Sequence, residues 1–255
     1  MNVKILSVLL LLFLGLTIFS SGCIGTEETK TYVVGVSPGY PPFVYYDTNG
    51  ELQGIDIESI QWIAEQEGFE IEFEVIEDWD KLIPSLLAGK IDVIYSGMTI
   101  TEERAKRVAF SDPYWEVFYD IAVRSNTEWT MDDFLAGRLV ISVTDGSTAE
   151  DWVEEYFSAK RITPEVVIYT SASDALNAVS NGKADCCIAD SSNIQYMLEQ
   201  NDDLRYLGSV DSGMYYGVAM RQEQTVLHGL INTGLSNLLS SGKWGELADS
   251  YNLHT

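Results

Sequence analysis

The sequence predicts an α/β fold built as two lobes, and three observations predict it. Short apolar runs alternate with helical patterns from Tyr32 to Tyr251, the pattern of βαβ units in mainly parallel sheets. Two such sets, of similar size, follow one another along the chain. A length of 255 residues with 46% apolar residues suffices for one or two domains with ample cores. No Pro- or Gly-rich linker and no low-complexity tract separates the two sets. Periodicity alone leaves two consecutive domains as open as two interleaved lobes.

The first set begins with a strand at Tyr32–Val36. The turn Asp47-Thr48-Asn49-Gly50 joins Val44–Tyr46 to Glu51–Leu52 as a hairpin. Asp56 to Glu67 reads as a helix closed by Gly68, which can take the left-handed conformation a helix end needs. Glu70–Ile76 alternates as a strand. Asp80–Ala88 is a short helix ending at Gly89, with Pro84 early enough to be tolerated. Ile91–Tyr95 is the next strand, and Thr101 caps a helical turn that carries Arg104.

The second set begins with a strand at Phe118–Val123, a helical turn at Met131–Leu135 and a strand at Leu139–Val143. A loop, Thr144-Asp145-Gly146-Ser147-Thr148, leads into a helix at Ala149–Phe157. Val166–Tyr169 (strand), Ser173–Asn181 (helix) and Ala184–Ala189 (strand) follow, and Asp190 opens a helix reaching Gln200. Met214–Met220 is a strand. The end is helical through Leu239 and again from Lys243 to Tyr251.

The amino terminus is a targeting segment. Lys4 supplies a positive start, Ile5–Phe19 an apolar run, and Ser20-Ser21-Gly22-Cys23 a lipobox-like end. Residues 1–22 read as a lipoprotein signal peptide, Cys23 as the lipid-bearing first mature residue, and 23–30 as a tether. The run falls short of the roughly 20 apolar residues of a comfortable transmembrane helix. An uncleaved anchor and plain secretion are the alternatives, and the lipoprotein and anchor readings each tether a domain outside the cytoplasmic membrane. The net charge of −24 repels nucleic acid and anionic headgroups. Cys186 and Cys187 are adjacent on a strand, so they point to opposite faces and read as buried core residues. With only His228 and His254 besides, no Cys–His cluster suggests a metal site, and no cofactor motif is present.

The most informative stretch is Ser96–Trp115, SGMTITEERAKRVAFSDPYW. It sets the Arg104 guanidinium beside a loop of small and hydroxyl residues. Such a fork donates two parallel charge-assisted bonds to a carboxylate. The stretch resembles family 3 extracellular solute-binding proteins, the amino-acid receptors of ABC uptake systems, and the resemblance runs from about Tyr32 to Tyr251. It implies two Rossmann-like lobes of the type II periplasmic-binding-protein (Venus-flytrap) architecture. Two crossover strands would join them, near Val117–Asp120 and Met214–Gly217. One lobe would be 31–118 plus 217–255, the other 119–216.

The resemblance also implies site residues. Arg104 would hold the α-carboxylate of an L-amino acid, and the loop Gly146-Ser147-Thr148 would close onto it, Ser147 and Thr148 adding hydroxyls. Asp190 would grip the ammonium, completed by Gly97 and Thr99. Tyr40 and Trp79 would wall the side chain. Read singly, Asp190 and the 146–148 loop are also helix caps, and the two aromatics are also core residues. Ser37 stands where glutamine- and basic-amino-acid-binding relatives carry an aspartate, and Thr144 takes the second side-chain position. Asp145, Asp80 or Glu116 are the available substitutes. No Lys or Arg lies in loops 37–43, 144–148 or 190–193, which disfavours an acidic ligand and leaves neutral or polar amino acids first, cationic ones next. An ABC permease with its ATPase is the implied partner, the lipid anchor the implied membrane link, and a monomer the expected state. The same fold hosts prephenate (cyclohexadienyl) dehydratase-like enzymes and amino-acid sensor modules. No catalytic residue is assigned, because no Ser–His–Asp order and no phosphate loop is present.

Overall fold

A computed structural model describes residues 29–253. Residues 1–22, Cys23 and His254 lie outside the described residues, so the signal-peptide and lipid-attachment expectations fall there too. No helix among the described residues is long and apolar enough to cross a membrane.

The chain opens with β1 (Thr31–Val36), a small hairpin of β2 (Tyr45–Tyr46) and β3 (Leu52–Gln53), and α1 (Ile55–Glu67). Gly54 sets the entry to α1. Its φ of 134° is open to glycine, and a Cβ there would lie 2.0 Å from the Phe43 carbonyl oxygen. Gly68 closes the helix in the left-handed conformation, as its position predicts. There follow β4 (Glu70–Val75), a 3₁₀ turn at Trp79–Lys81, α2 (Leu82–Leu87) and β5 (Val93–Ile94). Next come α3 (Glu102–Ala105), capped by Thr101, and β6 (Ala109–Phe110), a strand the apolar pattern does not reveal.

The second set comprises β7 (Trp115–Arg124), α4 (Met131–Leu135), β8 (Ile141–Thr144), α5 (Thr148–Lys160), β9 (Val166–Tyr169), α6 (Ala172–Ser180), β10 (Cys186–Asp190), α7 (Ser191–Glu199) and β11 (Leu204–Tyr216). The chain ends with β12 (Ala219–Met220), α8 (Thr225–Ser240) and α9 (Gly242–Ser250).

Two five-stranded sheets result, ordered β4-β1-β5-β12-β6 and β11-β7-β10-β8-β9. Each contains a β-α-β-α-β unit in which the first strand lies between the second and third, all parallel. Each is extended by two strands in successive antiparallel pairings, β12 then β6 in the first sheet and β7 then β11 in the second. The sheets are therefore mixed, not mainly parallel. In the second sheet β7 and β11 pair antiparallel from Trp115↔Tyr216 to Arg124↔Leu204, and in the first β12 pairs antiparallel with both β5 and β6. Because β12 joins the first sheet after β11 has left the second, that sheet draws on both ends of the chain. The strand expected at Met214–Met220 is longer, starting at Leu204, and it breaks before β12. Gly208 and the Asp211–Gly213 segment, which resemble turns in sequence, are absorbed as irregularities of register.

The core is apolar and extends through both sheets, with α1, α8 and α9 packed about the first. Cys186 and Cys187 are free and fully buried on opposite faces of β10, in different apolar clusters. Burial pushes the Cys187 thiol up to about 12, so both behave as small apolar residues.

Candidate functional site

The parallel strands of both sheets end at one cavity. Ligands of open α/β sheets bind outside the carboxyl ends of the strands, where loops and helix N-termini converge. Here β1 delivers Ser37–Tyr40, the loop after β4 delivers Trp79, and β5 delivers Gly97 and Thr99 with Arg104 on α3. From the other side β8 delivers Thr144, Ser147 and Thr148, β9 delivers Ser171 and Ala172, and Asp190 ends β10. All eight residues singled out in the sequence, from Tyr40 to Asp190, line this one cavity.

Arg104 stands at the junction. Its Nη1 donates to the Thr99 carbonyl at 2.8 Å, and its Nη2 crosses to the Gly146 carbonyl at 2.9 Å. The Thr101 cap fixes its backbone, accepting from the Arg104 N–H at 3.1 Å. Partial burial lowers its pKa, an effect that Asp151 and Asp190 oppose, so it remains a cation.

Opposite it, α5 begins with Ser147 as cap, its hydroxyl accepting from the Glu150 N–H at 3.2 Å. Ser147, rather than Thr148, thus takes the capping role. Thr148 is the first helical residue, buried, with its hydroxyl 3.4 Å from that of Thr99. The amides at the start of α5 have no acceptor within the helix, which makes this end electropositive.

Asp190 occupies the cap position of α7 but makes no capping bond. Its Oδ2 instead accepts from the hydroxyls of Tyr40 and Tyr216, which also touch each other. Burial raises its pKa, while the two tyrosines and Arg104 pull it down. Tyr40 packs 5.6 Å from Phe43 and 6.1 Å from Trp79, so the two predicted walls lie side by side. Ser37 is buried, donates to the Glu77 carbonyl at 3.2 Å and accepts nothing charged.

Among the described residues, Arg104 and Asp190 are the only charged side chains in the cavity lining. Asp80 lines a neighbouring pocket at the mouth with Arg107 and Asp151. Asp145 does not line the cavity. Glu116 does not either, and it is exposed. None of the three replaces the missing side-chain carboxylate. Further bonds cross between the jaws: Ser173 N–H to Gly39 carbonyl at 2.9 Å, Asn193 Nδ2 to Pro41 carbonyl at 2.7 Å, and Trp79 N–H to Thr170 carbonyl at 3.3 Å.

Two residues escaped the sequence. Tyr216 ends β11 and reads as one more alternating aromatic, yet its buried hydroxyl meets Asp190. Asp56 reads as a helix-start acid, yet it is fully buried behind Gly97. Only the tertiary fold brings Tyr216 to Asp190 and Asp56 behind Gly97, though an acid between Ile55 and Ile57 on an apolar helix face was a local signal.

Two α/β lobes joined by paired crossing strands, with an oppositely charged pair of side chains in the cleft, define a two-lobed solute-binding protein. The chain belongs to the bacterial extracellular solute-binding proteins, family 3, whose model matches residues 32–254. It is similar to the ABC transporter arginine-binding protein 1 of Escherichia coli (strain K12), 29% identical over 241 residues, covering 92% of this chain and 96% of that one. Among solved structures it resembles an ancestral arginine-binding protein bound to arginine, with a TM-score of 0.79 and 33% identity over 87% of this chain and 97% of that one. It also resembles the ancestral amino acid-binding protein AncCDT-1, a precursor of cyclohexadienyl dehydratase, with a TM-score of 0.78 and 28% identity over 87% and 95%. The fold is thus the type II periplasmic-binding-protein architecture.

Proposed function

We propose that the protein is a lipid-anchored receptor that clamps the zwitterion of a neutral L-amino acid between its lobes and presents it to an ABC permease. The observation that carries this reading is the charge inventory of the cavity: one guanidinium, one carboxylate and no other ionised group. Buried charges are costly unless paired, so a ligand carrying one charge of each sign fits and one with a third charge does not.

Arg104 takes the α-carboxylate, helped by Thr148, Ser147 and the start of α5. Asp190 takes the ammonium, with Thr99 and the Gly97 backbone beside it. Tyr40 and Trp79 cover the side chain, whose far wall is Ser37 and Thr144. Relatives described as arginine-binding share the frame, and Ser37 withholds the carboxylate that a cationic side chain wants. The lobes are 31–118 plus 217–255 and 119–216, and β7 and β11 act as the hinge between them. Ligand bridging both jaws favours the closed state, which the permease and its ATPase would then unload. Cys23 carries the lipid, and the receptor works as a monomer.

A thermal-shift screen of the refolded protein against the twenty L-amino acids tests this. Ligand at 100 times Kd stabilises by about 2.7 kcal/mol, or roughly 2–4 °C per kcal/mol at this size. Shifts with neutral amino acids support the proposal, and silence across the panel contradicts it. A second reading, a dehydratase acting on a prephenate-like acid, draws on the likeness to AncCDT-1 and on the raised pKa of Asp190. Turnover of prephenate supports that reading, and an amino acid that co-purifies unchanged supports the receptor.

A further inference from the structure

Asp56 is the one aspartate with no solvent exposure at all. It sits in the first turn of α1, placed there by the close approach of Gly54 to Phe43, whose carbonyl accepts the Asp56 N–H at 3.2 Å. One oxygen, Oδ2, accepts two bonds, from the Gly97 N–H at 2.6 Å and from the Tyr114 hydroxyl at 2.9 Å. The other, Oδ1, has no partner, and no salt bridge reaches Asp56. The titratable groups that face it are all tyrosines: Tyr114 before β7, Tyr95 after β5 and Tyr40 after β1.

Gly97 is cavity wall, held at a φ of 59° with Tyr40 packed against its Cα. Tyr114 precedes the first crossing strand, and its N–H donates to the Tyr216 carbonyl at 3.0 Å, at the end of the second. We propose that Asp56 is a positioning residue of the ligand site: its single oxygen ties the cavity wall at Gly97 to the hinge at Tyr114, so that wall and hinge keep one geometry. This rests on the receptor reading above.

The chemistry of the tie follows from the surroundings. With burial dominant and only two donors opposing it, the carboxyl pKa rises to about 8. At neutral pH Asp56 is therefore a neutral acid, which removes the cost of a buried unpaired charge. A proton on Oδ1, the oxygen without a partner, would leave Oδ2 free to accept both bonds. An asparagine can reproduce this arrangement, oxygen for Oδ2 and amide for the protonated Oδ1. An alanine cannot, and it leaves the Gly97 N–H buried and unpaired.

The experiment is titration calorimetry with the amino acid found by screening, on wild type, Asp56→Asn and Asp56→Ala, alongside a pH titration of the Gly97 amide resonance. Asp56→Ala is expected to bind about tenfold more weakly or worse, and Asp56→Asn to recover most of that loss. The Gly97 amide is expected to titrate near pH 8 in wild type and to stay flat in Asp56→Asn. Wild-type affinity in Asp56→Ala overturns the inference, as does equal loss in both variants. Should Asp56→Ala fail to fold, a Gly97 resonance that does not move near pH 8 in wild type overturns it alone. A wild-type protein that binds no amino acid fails at the receptor reading and takes this inference with it.

Discussion

Arg104 Nη2 donates to the Gly146 carbonyl at 2.9 Å, joining the turn after β5 in one lobe to the loop after β8 in the other. The same guanidinium holds the Thr99 carbonyl through Nη1. The residue proposed to meet a ligand carboxylate therefore also bridges the jaws. A carboxylate entering here replaces a neutral carbonyl as acceptor, and charge-assisted bonds are roughly twice as strong as neutral ones.

Arg104→Ala is expected to weaken amino-acid binding at least about 100-fold, or about 2.8 kcal/mol. The protein should still melt cooperatively, because Arg104 is only partly buried and lies on a four-residue helix. Calorimetry and a melting curve check both halves of this expectation.

Ser37→Asp is expected to shift preference toward arginine and lysine by about tenfold or more, since a carboxylate would then face the side-chain end of the cavity. Paired titrations with arginine and a neutral amino acid read the ratio. An unchanged ratio removes Ser37 from the specificity wall.

Asp190→Asn removes the anion proposed to meet the ammonium and is expected to cost about tenfold or more in affinity. Tyr216→Phe, which deletes only a hydroxyl donor to Asp190, is expected to cost less. A larger loss for Tyr216→Phe than for Asp190→Asn contradicts the assignment of the ammonium to Asp190.

Gly97→Ala is expected to impair both fold and site. The left-handed φ of 59° is unfavourable for alanine, and its Cβ would lie 2.5 Å from Tyr40 Cε1. A loss of about 1–2 kcal/mol in stability, with weakened binding, is the expected result.

Stability should fall as pH rises from about 4 to about 8. The folded protein keeps the Asp56 proton up to about pH 8, whereas the unfolded chain releases it near 3.8. The unfolded state thus binds fewer protons in that window, and each pH unit costs up to about 1.4 kcal/mol. Asp56→Asn should flatten this slope in denaturant titrations across the window.

Much of this was legible in the sequence because short-range physics writes it there. Gly68 ends α1, and Thr101 and Ser147 start helices, because a chain end needs those groups locally. The eight cavity residues were legible chiefly through the resemblance of the Ser96–Trp115 stretch and the loops around it to family 3 solute-binding proteins. Tyr216 was not, since it obeys its strand's local pattern, and Asp56 left only one acid on an apolar helix face as a trace; each acquires its role only when distant segments meet. The same holds for β11: Gly208 and Asp211–Gly213 look like turn residues, yet the long pairing with β7 resumes on either side of each.

The most direct test of the clamp is a titration with three forms of one ligand: the neutral amino acid that stabilises the protein, its amine lacking the carboxylate, and its acid lacking the ammonium. The account predicts that each half-charged analogue binds at least about 100-fold more weakly than the amino acid. Either analogue binding within about threefold of the amino acid would contradict a site built from Arg104 and Asp190 around a zwitterion.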